Sequence, residues 1–124
     1  MAKQTSLSAG LAVRKLLSEN EDVQAITRLV FPVVSDSAQL PYVVYRRSDL
    51  EPAPNSHGSA DTLTFEVACY AASYAGAVEL AEAVRATLDG TSDNLLRSCR
   101  MTSAEEMWDA DAHVQLLTFT VRPR

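Results

Sequence analysis

The hydrophobic positions near the start of the chain repeat with the period of an α-helix. The apolar positions that share one face of residues 5–19 are Ala9, Ala12, Val13, Leu16 and Leu17. This spacing is typical of a helix that packs one stripe against a core. Asn20 suits a left-handed helix end. A shorter helix is predicted over residues 22–29, with Asp22 as its cap and Pro32 as its limit, because proline disfavours helical backbone just before it.

The next two segments have the composition and the alternation of β-strands. Residues 40–47 are rich in aromatic and β-branched side chains, which predicts a strand of about seven residues. Residues 62–71 alternate strictly between apolar and polar side chains, which is the period of a strand with one buried face. Residues 49–60 contain Pro52 and Pro54 and are predicted to form a long loop, and long loops are commonly functional.

The second half of the chain begins with the clearest helix. Residues 73–89 carry an apolar stripe, with Ser73 as the predicted cap and Gly90 as the stop. Its members are Ala77, Leu80, Ala81, Val84 and Leu88. A third strand is predicted over residues 94–102. An acidic loop is then expected over residues 103–110, which hold the chain's single tryptophan.

The last predicted element is a strand over residues 112–121, after which the Arg-Pro-Arg tail is expected to stop pairing. The element order is therefore helix, strand, strand, helix, strand, strand. This order predicts an α+β fold, with two main helices packed on one face of a mainly antiparallel sheet. We expect residues 1–124 to form a single domain.

Charge and apolar content narrow the functional classes. The chain of 124 residues has a formal net charge of −5, which argues against general nucleic-acid binding and against docking on anionic membranes. No apolar run is long enough to span a bilayer and the N-terminus lacks a signal peptide, so we expect a soluble protein that is not exported by the usual route. Cys69 and Cys99 fall in strand-like stretches and are expected to be buried, reduced thiols, although neighbouring strands would also allow a bridge between them.

Side chains that carry chemistry do not form a recognisable catalytic pattern. His57 falls in the long loop and His113 near the start of the last strand, without a nucleophile at a diagnostic spacing. The carboxylates around residue 106 cluster, but they lack the order of a calcium loop, so a solvated acidic segment is favoured. The four isolated glycines provide no phosphate-binding loop. We therefore predict no enzyme activity, no metal and no cofactor.

Two groups of residues are candidates for contacts with partner proteins. Both follow from long polar segments or strand ends that carry charge or aromatic surface. Trp108 either folds back onto the core or stays exposed for a partner, where tryptophan brings large rigid area. Arg46, Arg47, Arg97 and Arg100 share a region if their strands are neighbours, and an acidic-to-basic contact between subunits is one interpretation. The candidate interface residues are Arg46, Arg47, Pro52, Pro54, His57, Glu105, Glu106, Trp108 and Asp109.

Several segments together resemble the tail-completion proteins of long-tailed phages, also called tail terminators. They are the apolar turn Leu-Val-Phe-Pro at 29–32, the strand opening Leu-Pro-Tyr-Val-Val-Tyr at 40–45, the strand–helix unit at 64–90 and the alternating strand at 116–121. The strand–helix unit closes with Leu-Ala-Glu-Ala-Val-Arg and then Leu-Asp-Gly. No single piece is specific, and the resemblance rests on their order and spacing from residue 7 to residue 121.

The resemblance implies a structural protein of the virion with no catalytic residues. Such proteins form a ring, expected to be a hexamer, that caps the head-proximal end of the tail tube. They end tail polymerisation and contact the tail tube protein and the head connector, while DNA passes through the ring without specific binding. Two alternatives remain open: a head–tail connector or another minor tail component, and, in a different class, a small α+β ligand-binding module.

Overall fold

The computed structural model describes residues 6–32, 39–53, 61–92, 96–109 and 111–123. A turn of 3-10 helix at Ser6–Ser8 leads into the first helix. The helices are α1 Ala9–Glu19, α2 Glu21–Ile26 and α3 Tyr74–Leu88, and the strands are β1 Val30–Pro32, β2 Tyr42–Glu51, β3 Thr62–Ala71, β4 Leu96–Asp109 and β5 Ala112–Pro123. The five strands form one sheet in the order β1-β2-β3-β5-β4. The predicted α+β class is confirmed.

Antiparallel pairing dominates the sheet, as predicted. β2 pairs with β3, β3 with β5 and β5 with β4 in antiparallel fashion, and only β1 with β2 is parallel among the described strands. Helix α3 packs against β3, β5 and β4, whereas α1 packs against β1 and β2. The helices therefore share one face of the sheet, with α1 towards the β1 edge and α3 towards the β4 edge.

The core lies between this helix layer and the sheet. In β3, buried residues alternate with half-buried ones along its whole length, which matches the predicted period of two. The predicted stripe of α3 is buried at all five positions. Leu17, Leu80 and Phe119 are among the largest side chains that are almost completely enclosed. Among the described helices, none combines the length and the apolar character that crossing a bilayer would require.

The region between α1 and β2 differs from the prediction. Asn20 has an extended backbone rather than a left-handed one, and its side chain accepts hydrogen bonds from the backbone N–H groups of Asp22 and Val23 at 3.0 and 3.1 Å. Asn20 therefore caps α2, and the assignment of this cap to Asp22 was wrong. Helix α2 ends at Ile26, earlier than predicted, because the chain then turns into the short strand β1.

Two predicted strands were too short at their C-terminal ends. β2 continues to Glu51, so the loop does not begin at residue 49. β5 continues to Pro123, which pairs with Leu96, so the tail does not stop pairing at Arg122. Pairing with a neighbouring strand satisfies the backbone N–H and C=O groups at these ends. It therefore extends the strands beyond the point that the strand propensity of their side chains predicts.

The predicted acidic loop at residues 103–110 is also wrong. Residues 103–109 belong to β4, which is 14 residues long and forms a hairpin with β5. The turn places Asp111 at a φ of 59°, a left-handed conformation that aspartate tolerates better than most residues. The acidic side chains of β4 favour a strand only weakly. Residues 103–109 nevertheless form one, because they pair with β5, whose alternating residues form a regular strand.

The end of α3 is tied directly to β4. Gly90 has a φ of +81°, as the predicted glycine stop requires. Its N–H donates to the carbonyl oxygen of Cys99 at 2.7 Å. The N–H of Met101 donates to Asp89 Oδ1 at 2.9 Å, and this hydrogen bond is the main reason that the pKa of Asp89 is lowered. These bonds fix the position of the hairpin relative to the helix layer.

Candidate assembly surface

The free end of the β4–β5 hairpin gathers most of the candidate residues. β4 is the edge strand of the sheet, and every side chain from Thr102 to Asp109 is exposed. An edge strand presents backbone groups that can pair with another chain, and charged side chains on it oppose unwanted pairing. Glu105, Glu106 and Asp109 supply such charges here. The edge is therefore a surface on which a partner has to match both charge and shape.

Trp108 is exposed on this edge rather than folded into the core. Its exposed fraction is 62%, which rules out the interpretation that it folds back onto the core. Trp108 pairs with His113 across the hairpin, and their ring centroids lie 5.0 Å apart at an interplanar angle of 79°. The ring of Tyr74, the first residue of α3, lies 6.0 Å from the His113 ring at 85°. Three aromatic rings thus line one cleft.

Glu106 supplies the negative charge of this cleft. It accepts hydrogen bonds from the Tyr74 hydroxyl and, at 2.8 Å, from the side-chain amide of Gln115. The hydrogen bond from Tyr74 and then the one from Gln115 lower the pKa of Glu106 below its ordinary value. The same bond raises the pKa of Tyr74. The carboxylate is therefore held in one position and stays ionised at neutral pH.

The cleft is a defined concave feature on the α3 side of the sheet. Its volume is about 290 Å³. Register partners lie on the same face of a sheet, and Glu106 pairs with Gln115 as Trp108 pairs with His113. We call Tyr74, Glu106, Trp108, His113 and Gln115 the hairpin cleft. Ser73 accepts a hydrogen bond from the N–H of Gly76 at 3.0 Å and so caps α3, as predicted, which fixes the position of Tyr74.

Other predicted residues lie on the opposite face of the sheet. Asp109 accepts a hydrogen bond from the Tyr70 hydroxyl at 3.4 Å. Arg46 forms an ion pair with Glu66 at 2.8 Å. Together with Met107 of β4 and apolar side chains of β2, β3 and β5, these groups line a depression of about 200 Å³. Glu105, which pairs with Leu116, shares this face rather than that of Glu106.

The remaining candidates do not form one region. Arg46 and Arg47 lie on β2, whereas Arg97 and Arg100 lie on β4. Because β3 and β5 separate these strands, the strands are not neighbours and the four arginines do not share a region. Pro52 is exposed just after β2. Pro54 and His57 lie outside the described residues.

Both thiols behave as buried apolar groups rather than nucleophiles. Cys69 and Cys99 are free and buried, as predicted. Burial raises the pKa of each to about 12, so their thiolate forms are scarce at neutral pH. Within the described ranges, no group of three or more His, Cys, Asp or Glu side chains is placed to hold a metal ion.

Sequence reasoning missed three residues of the cleft, namely Tyr74, His113 and Gln115. His113 was considered only as a strand-edge histidine, and Tyr74 only as part of the start of a helix. The usable signal was the alternation in β5, which puts His113 and Gln115 on one face. Their meeting with Tyr74 depends on the packing of α3, which no local pattern records.

Comparison with solved structures identifies the class of fold. The chain is similar to a chain in the virion of a native gene transfer agent particle, with a TM-score of 0.73 and 21% identity over 90% of each chain. This likeness establishes an α+β fold that also occurs in a virion subunit. A comparison with curated protein sequences finds no match.

The sequence also matches a defined protein family over nearly its whole length. Residues 11–124 match the family described as tail completion protein gp17. The chain belongs to this family, and the resemblance drawn from its segments is confirmed. It is a structural protein of a phage tail and hence a component of the virion.

Proposed function

We propose that this protein forms a hexameric ring that caps the head-proximal end of the tail tube, ends tube polymerisation and supports head–tail joining. The family match over residues 11–124 carries the proposal. The exposed edge of β4 supports it, because ring subunits need surfaces that bind one another in head-to-tail fashion. The acidic hairpin cleft provides a surface with distinct shape and charge.

The proposed partners are further copies of the chain, the tail tube protein and the head connector. The net charge of −5 favours a ring whose lumen lets DNA pass without sticking, because binding to phosphates relies on basic side chains. Assembly takes place in the host cytoplasm, and the ring remains in the finished tail. The role is structural, without catalysis or a cofactor.

Electron microscopy of a lysate from phage lacking this gene tests the proposal. We expect tails of uncontrolled length beside filled heads that carry no tail, and normal particles when the gene is supplied from a plasmid. Tails of normal length beside unattached heads would favour the head–tail connector role instead. Normal joined particles without the gene would remove both roles and direct attention to binding of small ligands.

A further inference from the structure

We infer that the hairpin cleft of one copy receives the basic outer face of α1 from a second copy. The inference rests on the proposed ring and names the two surfaces that would join its subunits. The rings of Trp108 and Tyr74 both stand nearly perpendicular to the ring of His113. They leave a three-sided aromatic cleft with the Glu106 carboxylate beside it. A cation over aromatic faces and next to a carboxylate is attracted by both.

The charge of the cleft is not neutralised by the chain itself. Glu106 takes its hydrogen bonds from Tyr74 and Gln115, and both donors are neutral. Among the described residues, the ion pairs join Arg46 to Glu66 and Arg85 to Asp89, away from the cleft. The position of Glu106 is therefore fixed while its charge remains available to a cation from outside.

The outer face of α1 has the complementary character. Leu11, Arg14 and Lys15 are all exposed, and Leu11 is exposed over 60% of its surface. Residues three and four apart share one face of a helix, so an apolar side chain lies beside two cations. Neither cation forms an ion pair within the described part of the chain. This face offers what the cleft lacks, together with apolar area to cover Trp108.

The positions of the two surfaces favour a second copy as the occupant. α1 packs at the β1 side of the sheet, whereas the cleft lies at the opposite edge, on β4. One chain therefore presents an acidic aromatic surface at one end and a basic apolar surface at the other. Two different patches that fit each other give a heterologous contact, which closes into a ring when its rotation is suitable. Each subunit would then use both patches once.

Cross-linking on assembled tails tests the contact directly. A Leu11→Cys and Ala104→Cys double variant, treated with a short bis-maleimide, should give a ladder of covalent oligomers that ends at the ring, because Ala104 is exposed and lies on the same face of β4 as Glu106. Each single variant should give none, because a heterologous contact brings residue 11 of one copy to residue 104 of the next. The native thiols are buried and should not react. Capped tails of normal length that give no ladder would overturn the contact and leave the capping function intact. Tails of normal length in phage that lacks the gene would instead refute the capping function.

Charge reversal provides a second, independent test. Lys15→Glu and Glu106→Lys should each lower the complementation titre by about 30-fold or more, as expected for central interface residues. Combining the two in one chain should restore most of the titre, because the pair is then re-formed with opposite sign. Glu82→Lys on α3 and Arg122→Glu on β5 alter exposed charges away from both surfaces and should stay within about twofold of the wild type. Full titre for both single reversals, or no rescue in the combination, would contradict the inference.

Discussion

Replacing Trp108 by alanine separates a binding role from a folding role. Because 62% of Trp108 is exposed, the rest of the chain covers roughly two-fifths of its surface of about 250 Å². Burying that area stabilises the fold by at most about 2.4 kcal/mol, at ~25 cal/mol per Å². Alanine retains part of that contact, so we expect Trp108→Ala to lower the free energy of unfolding by about 1–2 kcal/mol. Phe119 is only 1% exposed, and Phe119→Ala should cost about 3–5 kcal/mol.

In subunit association, Trp108→Ala should have a larger effect than Phe119→Ala. If Trp108 is a central contact of the ring, its loss should weaken subunit binding by about 2 kcal/mol or more, which is roughly 30-fold. Urea unfolding followed by far-UV circular dichroism measures the first quantity, and the amount of protein retained on purified tails measures the second. Equal destabilisation by Trp108→Ala and Phe119→Ala would show that Trp108 serves the core. Unchanged retention on tails would refute its place in the interface.

Three further predictions concern the folded subunit. Leu80→Ala should lower the free energy of unfolding by about 3–5 kcal/mol because Leu80 is fully buried. Leu11→Ala, at an exposed position, should change it by less than about 0.5 kcal/mol. Equal effects of the two variants in urea titrations would contradict the described core. Gly90→Ala should cost about 1–2 kcal/mol because its φ of +81° is left-handed, and thermal unfolding at an unchanged midpoint would rule this out. Burial raises the pKa of Cys69 and Cys99 to about 12, so both thiols stay protonated up to strongly alkaline pH. A thiol reagent at neutral pH should therefore label the chain only after unfolding in urea. Rapid labelling of the native protein would refute this prediction.

The main elements could be read from the sequence because their signals are local, whereas the family followed from the order and spacing of segments along the whole chain. The alternation of residues 62–71 and the apolar stripe of α3 both follow from side chains that face a single core. Ser73 and Gly90 mark the ends of α3 through short-range hydrogen bonding and backbone freedom. For such features the pattern lies within one segment, so that segment is sufficient to predict them.

The hairpin and its cleft were decided only by the tertiary structure. Residues 103–109 read as an acidic loop on their own, and they become a strand because β5 satisfies their backbone groups. Tyr74 and Glu106 are 32 positions apart in the chain and meet only when α3 packs beside the hairpin. Long-range pairing and packing set these contacts, and their free energy belongs to no single segment. The sequence by itself therefore determined which family this protein belongs to, while the tertiary structure decided which surface it offers to a partner.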